Sequence, residues 1–349
     1  MFQSLLRFLK IDRFTFLLVV AVLVATVLPA SGRGMPVAQM VTSLAIALLF
    51  FLHGARLSRQ AIIAGATHWR LHLLIFSFTF ILFPVLGVMS RPILEPLFTP
   101  DLYKGILYLC VLPATVQSAI AFTSVARGNI PAAICSASSS SILGIFITPM
   151  LVSLLITDGA ATSDSQLALE AIWEITQQLL IPFALGHFSR PFTAGFISRH
   201  GFLMKFVDQG SILLVVYVAF SAAVNEGLWS QTPLVALLLL VLVSVVLLVI
   251  VLLLTALIGK LMGFSLEDRI TLVFCGSKKS LASGLPMAQV LFAGQAVGAI
   301  VLPLMIFHQI QLMVCAFIAA RLSGRKEELE FLEEVEEVGE GAVVSSAVK

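Results

Sequence analysis

Two adjacent lysines, Lys278 and Lys279, lie about ten residues into a long apolar stretch of the sequence. An ammonium at the centre of a membrane-spanning helix costs about 2.5–3.5 kcal/mol on insertion scales, so such charges mark functional positions by default. No acidic residue lies at a similar depth in the neighbouring apolar stretches. We therefore expect carbonyls, hydroxyls or an anionic substrate to hold the ammonium groups. Neighbouring helical residues point about 100° apart, so the two lysines should not share one partner. Snorkelling or a structural pairing is the alternative.

A second polar segment interrupts another apolar stretch at Pro113. Thr115, Gln117 and Ser118 follow this proline directly, and Thr123 lies further along. A helix broken inside a bilayer exposes N–H and C=O groups, which is tolerated only where they line protein or a watery cavity. The half-helix ends can then hold ions or polar groups. The sequence predicts that the segments around Pro113 and Lys278 meet in the bilayer interior and form a binding site.

Other polar residues inside apolar stretches could line the same site. Ser136 and Ser140 are one helical turn apart in a serine run, although small residues at such spacing also let helices pack closely. His308, Gln309 and Gln311 lie midway along the last apolar stretch, where one of them lines the cavity or they form hydrogen bonds between helices. The complete set of predicted substrate- or ion-binding residues is Thr115, Gln117, Ser118, Thr123, Ser136, Ser140, Ser277, Lys278, Lys279, Ser280, His308 and Gln309.

The motifs and composition exclude several classes of protein. HExxH, GxSxG, Walker A and GxGxxG patterns do not occur, so we expect no enzyme, no cofactor and no metal site. Basic residues form no long patch, which argues against nucleic acid as a partner. The chain is 59% hydrophobic and only 11% charged, against roughly 25% charged residues in soluble domains. This excess of apolar surface predicts an all-α membrane protein in a lipid bilayer.

Ten apolar segments are long enough to span a bilayer, which needs about 20 residues. They cover approximately residues 14–31, 36–55, 70–90, 103–126, 130–157, 168–189, 206–225, 232–259, 268–291 and 296–319. The first also resembles a signal peptide, because basic residues precede it and Pro29-Ala30-Ser31-Gly32 follow it. We expect it to be retained, since its removal would leave an odd number of spans.

The distribution of Lys and Arg supports this count and fixes an orientation. With a cytoplasmic N-terminus, only three fall on the outer side, Arg33, Arg91 and Lys104. Fifteen fall on the inner side, namely Arg7, Lys10, Arg13, Arg56, Arg59, Arg70, Arg127, Arg190, Arg199, Lys205, Lys260, Arg269, Arg321, Arg325 and Lys326. The positive-inside rule therefore predicts a multi-pass protein of the cell inner (plasma) membrane with both termini in the cytoplasm.

Five spans followed by five spans place the second half upside down relative to the first, as in many secondary transporters. The fourth and ninth spans occupy equivalent places, and both are polar and rich in small residues, with a helix breaker at mid-depth. We assign residues 1–325 to one transmembrane domain, with repeats over about 10–157 and 165–322. Residues 326–349 form an acidic cytoplasmic tail, which we expect to be solvated or disordered rather than a short amphipathic helix.

Three segments together resemble the bile acid:sodium symporter family, namely Phe50-Phe-Leu-His-Gly54, the run from Leu112 to Asn129, and Phe274-Cys-Gly-Ser-Lys-Lys-Ser-Leu-Ala-Ser-Gly284. The resemblance covers about residues 10–322 and is greatest to a divergent branch with bacterial members and a vertebrate relative linked to calcium handling. It implies two inverted five-helix repeats. Spans 1, 2, 6 and 7 would form a panel domain, and spans 3–5 and 8–10 a core domain in which discontinuous helices 4 and 9 cross.

The same comparison reveals a departure from the sodium-coupled members of the family. Their fourth span carries a Ser-Asn pair, and their ninth span a glutamate that helps hold two sodium ions. This sequence has Gln117-Ser118-Ala119 and Lys278-Lys279 instead. An ammonium should repel sodium, so we hypothesise that one lysine takes the place of a sodium ion as a tethered cation. Coupling would then be to protons through lysine titration, or absent.

Two functions therefore remain open at this point. The first is secondary active transport of a small organic solute by alternating access. We expect the solute to be an organic anion, and a proton or a sodium ion to be the coupling partner. The alternative is a membrane regulator or scaffold that affects ion homeostasis and moves nothing itself. The acidic tail and the missing sodium ligands favour this alternative over a plain sodium symporter.

Overall fold

The computed structural model describes residues 13–32, 34–56, 68–156, 165–225, 227 and 233–347, without the side chains of residues 13–15, 165–180, 205 and 324–347. All regular structure in these ranges is helical. The helices are α1 (Arg13–Val27), α2 (Gly34–Arg56), α3 (Trp69–Ser77), α4 (Phe83–Met89), α5 (Arg91–Leu94), α6 (Pro100–Val111), α7 (Gln117–Val125), α8 (Ile130–Leu155), α9 (Ser165–Arg199), α10 (Gly201–Asn225), α11 (Leu234–Leu261), α12 (Leu266–Gly276), α13 (Leu281–Leu291) and α14 (Val297–Ala347). A π-helical turn (Phe78–Leu82) joins α3 to α4, and a 3₁₀ turn (Glu95–Leu97) follows α5.

Six helical stretches within these ranges are long and apolar enough to cross a membrane. They are α2, the continuous run Trp69–Met89, α8, α10, α11 and the first part of α14 as far as Ser323. On α11, Leu234, Leu238 and Leu253 are more than half exposed, as expected of a lipid-facing helix. The chain is thus a multi-pass helical membrane protein. The four other predicted spans coincide with short α1, long α9 and the interrupted pairs α6–α7 and α12–α13, so the count of ten stays a prediction.

Both predicted interruptions are present, although the second begins earlier than its proline suggests. Residues 112–116 separate α6 from α7, and Pro113 lies at this break. Residues 277–280 separate α12 from α13, and both lysines lie in this non-helical segment. Pro286 is instead accommodated inside α13. The expectation that the lysines are helical residues about 100° apart was therefore wrong in its geometry.

The π-helical turn before α4 leaves one carbonyl without a backbone donor. The Phe83 N–H donates to the Phe78 carbonyl, five residues back, instead of to the Thr79 carbonyl four residues back. The next donor in a π register would be residue 84, but Pro84 has no N–H. The Thr79 carbonyl therefore needs a partner from elsewhere in the protein.

The helices pack as two groups that meet along α10 and where α8 packs against α9. In the first group, α2 packs against α9 and α10, and α1 packs against α10. In the second, α14 packs against α6 and α11, while α12 packs against α7 and α11.

The contact between α2 and α9 is close because Gly54 and Gly186 lie at the crossing. An added Cβ atom would overlap the Phe183 carbonyl oxygen at Gly54 and the Phe51 carbonyl oxygen at Gly186.

Two further expectations concern the acidic C-terminal segment and the basic N-terminal segment. Helix α14 continues through the acidic segment to Ala347, so its backbone is helical where we expected a solvated or disordered tail. The side chains of this segment lie outside the described part of the structure. Residues 1–12, which carry two of the three basic residues of the N-terminal prediction, also lie outside the described residues.

Candidate functional site

The two interrupted helices cross and bond directly to each other. The Ser280 N–H donates to the Pro113 carbonyl over 2.9 Å. One turn away on each helix, the Tyr108 hydroxyl donates to the Gly284 carbonyl over 2.6 Å. Both bonds join segments more than 160 residues apart in sequence. The prediction that the stretches near Pro113 and Lys278 meet is therefore confirmed.

Lys279 lies at this crossing and is completely buried. Its ammonium donates to the carbonyls of Thr79 (2.7 Å), Cys110 (2.9 Å) and Leu112 (2.7 Å). The Thr79 carbonyl is the one that the π turn leaves free, and the other two lie at the C-terminal end of α6, where carbonyls lack helical partners. That end also carries the negative pole of the helix dipole. The Phe83 ring covers the ammonium, with its centroid 4.2 Å from Nζ.

Two further polar backbone atoms at the first break bond to side chains of α8. The Thr148 hydroxyl donates to the Val111 carbonyl over 2.9 Å. The Ala114 N–H donates to the Ser140 hydroxyl over 3.0 Å. Ser140 and Thr148 are both fully buried. Ser140 thus supports the break, and its hydroxyl is engaged with the backbone.

Gln311 on α14 holds the peptide of Lys279 from the opposite side. Its Oε1 accepts from the Lys279 N–H and its Nε2 donates to the Lys279 carbonyl, both over 2.9 Å. Nε2 also lies 2.9 Å from the His308 Nδ1. His308 is thus placed next to the site through Gln311. The side chain of Gln309, also on α14, is partly buried.

Lys278 is also completely buried but has different neighbours. Its Nζ donates to the Ser118 carbonyl over 2.8 Å. The ammonium lies over the Phe122 ring, 3.8 Å from the centroid, and 5.4 Å from the centroid of Phe274. The two lysines therefore have separate partners, and carbonyls hold both, which is one of the three kinds of partner that the sequence left open.

The predicted residues from Thr115 to Thr123 differ in exposure. Thr115 is buried, and its hydroxyl forms a 2.7 Å hydrogen bond with the Ser118 hydroxyl. Ser118 is partly buried, whereas Gln117 at the start of α7 is exposed. Thr123 is buried close to the Cys275 thiol. Thr115 and Ser118 therefore lie at the crossing, while Gln117 lies on its open side.

The other predicted serines have local partners. The Ser136 hydroxyl lies 2.6 Å from the Nδ1 of His72, a buried histidine on α3. The Ser277 hydroxyl donates to the Val273 carbonyl over 2.6 Å, one turn earlier on α12. The Ser280 hydroxyl accepts from the Ser283 N–H and caps α13. Ser277 and Ser280 thus shape the second break, and Ser136 joins α8 to α3.

The structure adds Thr79 and Tyr108, and it adds Gln311, which the sequence indicated beside His308 and Gln309 but which the predicted set lacks. A possible signal for Thr79 is the proline five residues later, which withholds an N–H from its carbonyl. Gln311 lies three residues after His308, on the same face of one helix. Tyr108 lies on α6 before the break. Apart from its hydroxyl group, nothing in the sequence indicated that it bonds to the second interrupted helix.

Chemically, the crossing is a site for cations that is built from backbone carbonyls. Three carbonyl oxygens from two elements surround one ammonium, and no carboxylate within the described residues pairs with either lysine. Such a set of oxygens suits a monovalent cation, and the chain supplies that cation itself. Carbonyl dipoles and aromatic faces surround the two buried ammonium groups but carry no full negative charge, so an anion nearby would be electrostatically favourable.

Comparison with known proteins gives matches over nearly the whole chain. Residues 12–324 match the model of the SBF-like CPA transporter family. An uncharacterized protein of Pseudomonas aeruginosa, PA2026, is 58% identical over 322 residues, which are 92% of this chain and 96% of that protein. The Escherichia coli (strain K12) protein YfeH, whose name carries a provisional symporter label, is 52% identical over 325 residues, 93% of this chain and 96% of its own. The sodium/bile acid cotransporter 7 of Rattus norvegicus is 28% identical over 319 residues, 89% of this chain and 92% of its own.

Proposed function

Because the chain belongs to the SBF-like CPA transporter family, a divergent relative of the bile acid:sodium symporters, we propose that it is a secondary transporter of a small organic anion that works by alternating access. The observation that carries this proposal is the lysine ammonium held by three backbone carbonyls where two interrupted helices cross. Interrupted helices with charged groups at their ends are the usual construction of a midplane transport site.

The proposal includes ten spans arranged as two inverted repeats of five. The interrupted pairs α6–α7 and α12–α13 would be the fourth and ninth spans, which supports equivalent positions in the two halves. The panel domain would comprise α1, α2, α9 and α10, which pack chiefly with one another. The remaining helices would form the core domain, and solute would cross as one domain moves against the other. Both termini would lie on the cytoplasmic side of the inner membrane.

In this proposal Lys279 takes the place of a coupling sodium ion. Sodium is held in proteins by oxygen ligands, and a carboxylate among them supplies the negative charge that attracts the ion. Here the carbonyl oxygens are occupied by a covalently attached ammonium, and the described part of the chain offers no carboxylate beside it. Transport would therefore not require sodium, and any coupling would be to protons.

The preference for an anion follows from charge balance. Two buried ammonium groups without a carboxylate leave positive charge in a region of low dielectric constant, which is costly unless compensated. A bound anion would supply that compensation in the loaded state. A relative named as a bile acid cotransporter agrees with an amphipathic organic anion, so bile acids are the first class to test.

Reconstitution of the purified full-length chain tests this proposal. Bile acids, sterol sulfates, keto acids and nucleoside precursors are first screened for an increase in the melting temperature in detergent. Counterflow of the radiolabelled hits is then measured in proteoliposomes, with sodium or choline as the only monovalent cation. We expect exchange of at least one organic anion at the same rate in both media. Exchange that requires sodium would overturn the role of Lys279, and no exchange of any compound would favour the regulator or scaffold.

A further inference from the structure

The two lysines differ in how many hydrogen-bond donors they have left. A lysine ammonium has three N–H donors. Lys279 directs them to three carbonyl oxygens at 2.7–2.9 Å, so no donor remains for another molecule. Lys278 donates to the Ser118 carbonyl alone among the described residues. Two donors of a completely buried ammonium thus have no hydrogen-bond acceptor within the described part of the chain, which is a costly arrangement unless something else binds there.

Aromatic rings and apolar groups surround the remaining side of Lys278. Phe122 and Phe274 present their faces to the ammonium. Both belong to a small apolar cluster that also contains Ala126, Ile270 and Cys315. A ring face attracts a cation but is a weaker partner than an anion in the same place. Aromatic rings, and no carboxylate of the described residues, therefore face the side of the Lys278 ammonium that is turned away from the Ser118 carbonyl.

The cover lies next to an open face of α7. Gln117, Ala121 and Ser124 are exposed and recur at the spacing of one helix face. Phe122 and Ser118, which contact Lys278, are partly buried and flank this face. Displacement of the Phe122 ring would connect the ammonium with the exposed amide of Gln117. A solute approaching α7 would then meet one cation and one neutral amide.

We propose that Lys278, and not Lys279, binds the anionic group of the solute, and that the Phe122 ring is the cover that this group displaces. The two free N–H donors suit a carboxylate or sulfate, which can accept both. The apolar cluster beside them suits the hydrocarbon part of an amphipathic anion. This inference rests on the proposed function, because it names the residue through which the transporter would select anions.

The test uses anion pairs and variants of the full-length chain in proteoliposomes. For any organic anion that the wild-type protein exchanges, its uncharged methyl ester serves as a competitor without the charge. We expect Lys278→Met to raise the KM of the anion about ten- to a hundredfold, to leave maximal exchange within about twofold, and to leave competition by the ester unchanged. Lys278→Arg should restore much of the affinity, and Lys260→Met, on the exposed end of α11, should change nothing.

A second variant keeps the proposal testable if Lys278→Met does not fold. Phe122→Leu retains the ammonium but removes the ring from above it, so the anion KM should fall several-fold while that of the ester does not. An unchanged anion KM in either folded variant would overturn the inference while wild-type exchange continues, which leaves the proposed function intact. A wild-type protein that exchanges no organic anion would instead overturn both.

Discussion

At the scale of single residues, adjacent identical side chains have different surroundings. Lys279 is saturated by backbone carbonyls, whereas Lys278 has one carbonyl and an aromatic cover. The sequence indicated that the two would have separate partners, and that carbonyls, hydroxyls or an anionic substrate would hold them. It could not indicate Thr79, because the identity of that side chain plays no part in the bond. Only its carbonyl does, and the register of a helix some 200 residues away sets whether that carbonyl is free.

Removal of the Lys279 ammonium should destabilise the protein and create a site for a small cation. Lys279→Ala leaves three buried carbonyls without a donor, and breaking a buried charged interaction typically costs about 3–5 kcal/mol. We expect the melting temperature in detergent to fall well below that of Lys260→Ala, which removes an exposed lysine. Ammonium chloride should restore part of the loss, since NH₄⁺ supplies the missing N–H donors.

The choice of salt makes this rescue specific to the carbonyl site. Tetramethylammonium chloride at the same concentration matches the charge and the ionic strength but has no N–H donor. It should not stabilise Lys279→Ala, and neither salt should act differently on Lys260→Ala. Equal melting temperatures of the two variants, with no response to ammonium, would contradict the claim that the Lys279 ammonium stabilises the protein by bonding the three carbonyls.

At the scale of helices, interruptions were predictable and close contacts were not. Pro113 and the run of small polar residues after it indicated the first break, because such residues do not favour a lipid-facing helix. The π turn involves Pro84, which has no N–H, and the ammonium of Lys279, which bonds the carbonyl that the turn leaves free. Only Pro84 can be recognised from the local sequence. Glycines at helix crossings pose the same difficulty. Gly186 and Gly195 lie on the same helix, and only the structure distinguishes the one that another backbone touches.

This pair of glycines gives a prediction with an internal control. A methyl group at Gly186 would overlap the Phe51 carbonyl oxygen of α2, so Gly186→Ala must push two backbones apart. Overpacking of this kind costs about 1–3 kcal/mol or more. Gly195 has open space around its Cα, so Gly195→Ala should be neutral or stabilise α9 by up to about 1 kcal/mol. Melting temperatures of the purified variants compare the two directly, and equal losses would mean that the crossing is not tight.

At the scale of the whole molecule, charge distribution was the most informative signal in the sequence. Hydropathy and helix length identify six uninterrupted spans in the described residues, because α1 is short, α9 contains polar residues, and α6–α7 and α12–α13 are each divided. The predicted division of the basic residues into fifteen inner and three outer ones requires that the divided helices also cross the membrane. A divided helix can cross because the other divided helix satisfies its free backbone groups, as Ser280 does for Pro113.

Labelling of two engineered cysteines tests this topology where hydropathy is least decisive. Glu95, after α5, and Lys260, at the end of α11, are both exposed, and five predicted spans lie between them. The four natural cysteines are all buried, so a membrane-impermeant maleimide should react little with the unmodified protein. We expect Glu95→Cys to react in right-side-out membrane vesicles and Lys260→Cys only in inverted ones. Reaction of both from one side would mean an even number of crossings between them, so that α6–α7 or α9 would fail to span the bilayer.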